Sequence, residues 1–485
     1  MPEGQPGVPP PVAPVSVVRP RTALAWVAIV LLVGVILALH ATMKADPESS
    51  GDFGNAVTRT QVLLQYGIRE LAERFTGDAR AFDVDSSFGQ IEAAAGGGPV
   101  PRRQRFAVVA GDMRGREEAL RVLDDTERLL KEKGLELSPK EREVQDALRT
   151  LYGTPNGITQ LDAGRRDLLR RELDWFGELA LAPPGSADRQ AVMEPARRAT
   201  RNILLLGAAI LMAGATGVVG LAVHLFLAKG RRLRWRLEPG RAPGGIYAET
   251  FAVWFVLFLV LSLGVSLLGT LLPAGSSPML LASAGMLGSL AALGWPVLRG
   301  VPWETVRDDL GLRLSPTPFQ DVLAGFYCWV SAIPVMFLAA LATCGLAALE
   351  SAFRAPPGPF DPVAPPHPLG PELVHGYTWI YAFFAASFVA PIVEETFFRG
   401  ALYRHLRDAS GRARRLEGAL VSGLLSSFLF AVIHPQGLSA VPVLMAVALP
   451  LWWSREWRGS LLAPMAAHSL HNAIVTLVGV AQFRS

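Results

Sequence analysis

Apolar and polar positions divide the chain sharply. Long apolar runs occupy residues 23–41 and 202–228, then 250–272, 279–298, 322–346, 377–398, 416–433, 438–453 and 461–480. About 20 apolar residues in a helix cross a hydrocarbon core of about 30 Å. The pattern therefore predicts an all-α, polytopic transmembrane helical bundle with about nine membrane segments. The stretch 416–453 fits either two short spans or one span plus a re-entrant piece.

Between the first two runs the texture changes. Residues 44–200 are polar, with leucines three and four apart in REEALRVLDDTERLLKEKG and DAGRRDLLRRELDWFGELAL. That is the helical period. Breaks at AAAGGGPVP, YGTPNG and APPGS separate the pieces. An inserted all-helical domain is predicted there, with no catalytic constellation of its own. Further on, RGVPWETVRDDLGLRLSPTPFQ lies between two apolar runs and is amphipathic. Trp303, Leu310, Leu312 and Leu314 are its expected contacts with the cytoplasmic membrane surface. A Pro-rich stretch at 355–371 is expected as an external loop.

Charge orients this arrangement. The chain is 51% hydrophobic and only 18% charged, whereas soluble domains carry about 25% charged residues. Its net charge is +4, and in a soluble protein that would raise nucleic acid as a partner. Here the basic residues crowd short loops beside apolar runs, as at Lys229, Arg231, Arg232 and Arg234. This is the positive-inside pattern, so the expected partner is the lipid bilayer and not nucleic acid.

The organisation that follows starts with a disordered Pro-rich N-terminus at 1–22, on the cytoplasmic side. A retained signal anchor occupies 23–43, its apolar stretch being longer than that of a cleaved signal peptide. An extracytoplasmic helical domain spans 44–200, a membrane segment with a basic cytoplasmic linker spans 201–245, and a membrane domain fills 246–485. The Ala-, Arg-, Gly- and Pro-rich composition points to a bacterial inner membrane. Cys328 and Cys344 fall in one apolar segment, so neither a disulfide framework nor a thiol nucleophile is expected.

Ionisable side chains inside a membrane are costly and mark functional positions. Three groups interrupt the late apolar runs. In Glu394-Glu395-Thr396-Phe397-Phe398-Arg399, Glu395 and Arg399 are four apart on one helix face and can neutralise each other. Glu394 is rotated about 100° from Glu395 and has no charged partner at this spacing. Such a carboxylate suits proton abstraction from water. In Phe430-Ala431-Val432-Ile433-His434, the histidine closes an apolar segment. In His468-Ser469-Leu470-His471-Asn472, His468 and Asn472 share a helix face and could stabilise an oxyanion, or hold a water or a metal. His471 lies about 60° from His468, where it either borders that face or packs. Each group alone also fits a structural role, as a membrane boundary, an interface residue or interhelical glue. Together they supply what water-mediated amide hydrolysis needs: a base, donors for the oxyanion and an acid for the leaving amine.

These three groups, EETFFR, FAVIH and HSLHN, resemble in order and spacing the EExxxR, FxxxH and HxxxN motifs of the CAAX-protease and bacteriocin-processing (CPBP) family of intramembrane proteases. The resemblance covers roughly residues 250–480, leaving the anchor and 44–200 outside it. It implies a peptidase of the CAAX prenyl endopeptidase type acting on membrane-associated protein or peptide substrates. Carried over, Glu394 is the general base, His434 helps activate the water, and His468 and Asn472 stabilise the oxyanion. Glu395 and Arg399 support the site, and Phe430 packs. The family is often labelled a metalloprotease, but the zincin HExxH is absent here. Glu394, His434 and His468 are candidate zinc ligands; a metal-free, glutamate-dependent mechanism uses the same residues, and the sequence leaves zinc and no cofactor both open. Two other readings compete: a non-catalytic membrane scaffold or immunity-type protein on the same fold, and a proton-coupled transporter with Glu394 as relay.

Overall fold

The computed structural model describes residues 19–42, 47–77, 84–95, 98–229, 236–269, 271, 278–353, 370–374, 376–410 and 415–483. The Pro-rich N-terminus up to residue 18, residues 230–235 of the basic linker and most of the Pro-rich loop lie outside the described residues. Every regular element among the described residues is helical, as the apolar periodicity predicted. The chain forms two compact units. One contains residues 1–42, 212–351 and 380–475, and the other contains 43–211, 352–379 and 476–485.

The second unit holds the polar helices. Pro47–Thr76, Val100–Arg114, Arg116–Glu132, Pro139–Gly153 and Ala163–Leu173 turn their apolar faces onto a core that includes Phe88, Phe106, Leu123, Leu148 and Trp175. Helix starts are fixed locally. Ser138 and Glu141 form a reciprocal capping box that satisfies two otherwise unpaired N–H groups. The Trp175 indole donates to the Val192 carbonyl at 2.7 Å. Asp112, nearly buried, accepts from Tyr66 and Arg189, each at 2.8 Å. Burial and the Asp112 carboxylate together push the Tyr66 phenol well above its ordinary pKa, so it stays a neutral donor.

The first unit holds most of the apolar helices. Among the described residues, seven helices are long and apolar enough to cross a membrane: Thr22–His40, Arg189–Leu227, Gly245–Gly269, Met279–Leu298, Pro318–Phe353, Thr378–Ala409 and Leu438–Arg458. Against the nine segments expected, Leu416–Val432 is shorter. The helix Leu462–Phe483 carries His468, Ser469, His471 and Asn472 along its apolar length. Large apolar side chains such as Leu211, Phe226, Leu263 and Leu298 are more than half exposed. So much exposed apolar surface is incompatible with water and expected against lipid. The chain is an integral membrane protein.

The core of this unit is aromatic. Trp254 stacks on Phe397 at 4.8 Å, and Phe251 meets Phe398 edge-on at 5.2 Å. The first helix belongs to that core, because Ala25, Ile29 and Ile36 are buried and the Trp26 indole donates to His405 Nε2 at 3.0 Å. The run read as an anchor is therefore also a packing element. The segment expected on the membrane surface also departs from expectation. Trp303 and Leu314 are exposed, but Leu310 is fully buried and Leu312 packs on the aromatic core. Asp309, on the same short helix, is buried. Its carboxylate accepts from the backbone N–H groups of Arg241 and Ala242, both at 2.9 Å, and from Tyr247 at 2.7 Å. A buried carboxylate with that many donors anchors the segment inward, which a hydrophobic count does not detect.

Candidate functional site

The helix Thr378–Ala409 carries both glutamates, and it is not a regular α-helix. It widens into π-helix at Ala385–Val389 and again at Thr396–Leu402. The α-helical stretch Ala390–Glu395 lies between them. Pro391 gives the first widening a physical reason. The Ala390 N–H bonds to the Ala385 carbonyl, and Pro391 has no N–H to offer. The Ala386 carbonyl is thereby deprived of its donors four and five residues on. Asn472 fills the role from the last helix, its Nδ2 donating to Ala386 O at 2.7 Å. Single π turns inside α-helices recur at functional sites.

Glu395 and Arg399 are fully buried and paired, with Arg399 Nη1 donating to Glu395 Oε1 at 3.0 Å. The four-residue spacing predicted this pair. It did not predict the third member. His468 Nδ1 lies 2.8 Å from the same Glu395 Oε1. As the donor to a carboxylate that Arg399 also serves, Nδ1 carries a proton, and Nε2 is the nitrogen left over. That Nε2 faces Glu394, 3.8 Å from its Oε2. Glu394 itself is partly exposed, its side chain retaining 17% of its accessible surface.

Phe430 joins the three motifs. It is buried, and its ring lies 4.8 Å from the Arg399 guanidinium, 5.2 Å from Phe398, 5.9 Å from His468 and 4.2 Å from His434. His434 Nδ1 is 2.5 Å from the Phe430 carbonyl one turn back. A carbonyl only accepts, so Nδ1 is again the protonated nitrogen. His471 turns toward Trp329, whose indole lies 3.4 Å from its Nδ1. It packs against the helix Pro318–Phe353.

Two glycines bring the last helix into place. A Cβ at Gly325 would stand 2.2 Å from the Ala463 carbonyl, so only glycine lets these backbones approach. Gly311 ends the short Asp309 helix in the left-handed conformation, with φ 77°. Its carbonyl accepts from Leu461 N–H at 3.0 Å, just before the last helix begins. Neither contact has a signature in the local sequence.

Glu394, Glu395, Arg399, Phe430, His434 and His468 thus form one cluster, with Asn472 bound to the glutamate helix about two turns from Glu394. Two features escaped the sequence reading: the bond from His468 to Glu395, and the capture of Ala386 by Asn472. Pro391 inside an apolar helix was the available signal for the second. Among the described residues no three His, Cys, Asp or Glu side chains are gathered to hold a metal ion.

Residues 376–474 match the protein family described as Type II CAAX prenyl endopeptidase Rce1-like. The match spans all three motifs and about a fifth of the chain. No curated protein and no solved structure matches the chain. The family supports a peptidase working in a membrane.

Proposed function

We propose, from the Rce1-like domain at residues 376–474, that the chain is an intramembrane endopeptidase cutting a membrane-associated protein or peptide. The observation that carries this reading is the Glu394–His468–Glu395 arrangement. Glu395 holds His468 by Nδ1, and Nε2 and Glu394 Oε2 stand 3.8 Å apart. That distance is too long for a direct hydrogen bond and suits one water molecule held by both. A water giving one hydrogen to Glu394 and the other to Nε2 turns its lone pair outward, toward a substrate carbonyl. Glu394 takes the proton as the C–O bond forms. The proton passes to the departing amine as the C–N bond breaks.

The orientation of His468 supports a role beside Glu394. With Nδ1 given to Glu395, His468 acts through Nε2 with Glu394 on the water. Stabilisation of the oxyanion falls to the second amide hydrogen of Asn472. Glu395 and Arg399 hold the imidazole in place. The basic stretch after residue 229 lies in the cytoplasm and residues 44–200 outside it, in the inner membrane of a bacterium. The helical domain at 44–200 then stands on the opposite side from that stretch.

The test uses purified wild type and Glu394→Gln in detergent, each incubated with membrane-proximal peptides, including a prenylated C-terminal CAAX peptide. Cleavage is read by mass spectrometry, with and without chelator. Cleavage by wild type and not by the variant is expected. Equal cleavage by both would remove Glu394 from the mechanism. Loss of wild-type cleavage in chelator would replace the metal-free scheme.

A further inference from the structure

On the first unit, away from the glutamate cluster, a lateral groove of about 530 Å³ opens between the first helix, Gly245–Gly269 and Met279–Leu298. Its size falls within the roughly 300–1,000 Å³ of small-molecule sites. Its walls are apolar, including Leu24, Ala28, Val253, Val256 and Val260. Leu24, Val256 and Val260 are about half exposed or more. All three helices are long and apolar enough to cross a membrane, so the groove opens to acyl chains and not to water. It is also separate from the candidate active site. On the helix Gly245–Gly269, Phe251 and Trp254 face Phe397 and Phe398. The Val253, Val256 and Val260 side faces the groove.

One end of the groove is charged. Glu249 is buried and fully served: Arg299 Nε lies 3.1 Å away, the Trp295 indole donates at 2.9 Å, and the Arg21 backbone N–H donates to its other oxygen. Arg299 also donates to the Arg19 carbonyl at 3.0 Å. Glu249 thus ties the Arg299 guanidinium to the backbone of Arg21, and Arg299 in turn holds the Arg19 backbone. Glu249 fixes Arg299 and the start of the first helix, and an excess of positive charge remains. The Arg21 side chain is exposed and lines the groove.

We infer that this groove holds one acyl chain of an anionic phospholipid from the bilayer, with the lipid phosphate against Arg21 and Arg299. The apolar walls take the chain, and the arginine excess selects the headgroup. A zwitterionic lipid presents an ammonium group to the same arginines and is disfavoured. Basic sites between membrane helices recognise anionic lipids by this arrangement.

The experiment is native mass spectrometry of the full chain in detergent, with phosphatidylglycerol or phosphatidylcholine of identical acyl chains. Wild type is expected to retain one phosphatidylglycerol, about fivefold or more in excess of phosphatidylcholine. Arg21→Gln, at an exposed position, is expected to remove that preference while thermal unfolding stays unchanged. Ala28→Trp, which fills the groove, is expected to remove the bound lipid itself. Equal retention of the two lipids by wild type would overturn the inference. So would phosphatidylglycerol binding that survives both substitutions. Displacement of phosphatidylglycerol by farnesol as effectively as by more phosphatidylglycerol would also overturn it, because the site would then be an apolar slot indifferent to the headgroup.

Discussion

Two buried charged clusters in the same unit are built differently. At one end, Asp309, Arg404, Arg407, Arg455 and Glu456 form a dense network. The Asp309 carbonyl accepts from Arg404 at 2.9 Å and from Arg455 at 3.1 Å. Glu456 Oε1 accepts from Tyr403 and Arg407, each at 2.8 Å. Nearby, Arg458 pairs with Asp321 at 2.5 Å. Among the described residues, Arg455 Nε and Asp321 Oδ2 are buried atoms of this network without a hydrogen-bond partner. The second cluster is smaller and less satisfied. Glu395 Oε2, Arg399 Nε and Arg399 Nη2 are buried without hydrogen-bond partners among the described residues. Glu394 stands partly exposed beside His468. Densely connected polar networks rigidify a core, whereas a small cluster in which unsatisfied buried groups weigh more fits a site where function requires them. The first cluster is a clamp on helix ends; the second has the incompleteness of a reactive site.

The sharpest way to break this comparison is Glu394→Gln. It removes the proposed base and nothing that holds the helices, so kcat is expected to fall about 100- to 10,000-fold. Unfolding in detergent should be unchanged. A comparable loss of stability would put Glu394 in the clamp class.

Glu395→Leu tests the other side of the same cluster. It strands a buried guanidinium, at a cost of about 3–5 kcal/mol by chemical denaturation. Adding Arg399→Met should restore most of that stability, because an apolar pair replaces an ionic one. Activity should stay low in the double variant, because His468 has lost the acceptor that orients it. Recovery of activity together with stability would reduce Glu395 to a charge partner of Arg399.

In the clamp, Asp309→Ala leaves the Arg241 and Ala242 N–H groups and the Tyr247 hydroxyl without their acceptor. A loss of about 3 kcal/mol is expected, with kcat per folded molecule unchanged. Asn472→Ala leaves the Ala386 carbonyl unsatisfied, at about 1–3 kcal/mol. Pro391→Ala supplies a backbone N–H to that carbonyl and should recover part of the loss in a double-mutant cycle. Additive effects would contradict the link between Pro391 and Asn472. The smallest effect belongs to the polar helical unit, where Ser138→Ala should cost about 1 kcal/mol through its cap and leave peptidase activity alone.

Much of the candidate site was legible because its residues violate the apolar pattern. Glu394, Glu395, Arg399, His434, His468 and Asn472 each interrupt a run that would otherwise be lipid-compatible. The Glu395–Arg399 pair followed from helical spacing. The bond from His468 to Glu395 did not, because it joins residues 73 positions apart and depends on how two helices pack. The Asp309 network was missed for a related reason. Its helix reads as amphipathic, and only the donors converging on it make burial of the carboxylate tolerable.

The sequence by itself determined that the chain is helical and lives in a membrane, and it gathered the candidate site in the last hundred residues. These follow from local periodicity and from the cost of charge in hydrocarbon, which every residue reports on its own. Tertiary structure alone decided which nitrogen of His468 carries the proton, which glutamate it serves, and that Asn472 answers a carbonyl left bare by Pro391. It also decided that the first helix packs into the core and flanks a lipid-facing groove. Those are relations between segments distant in the chain, set by close helix approach at glycines and by the requirement that buried polar groups find partners.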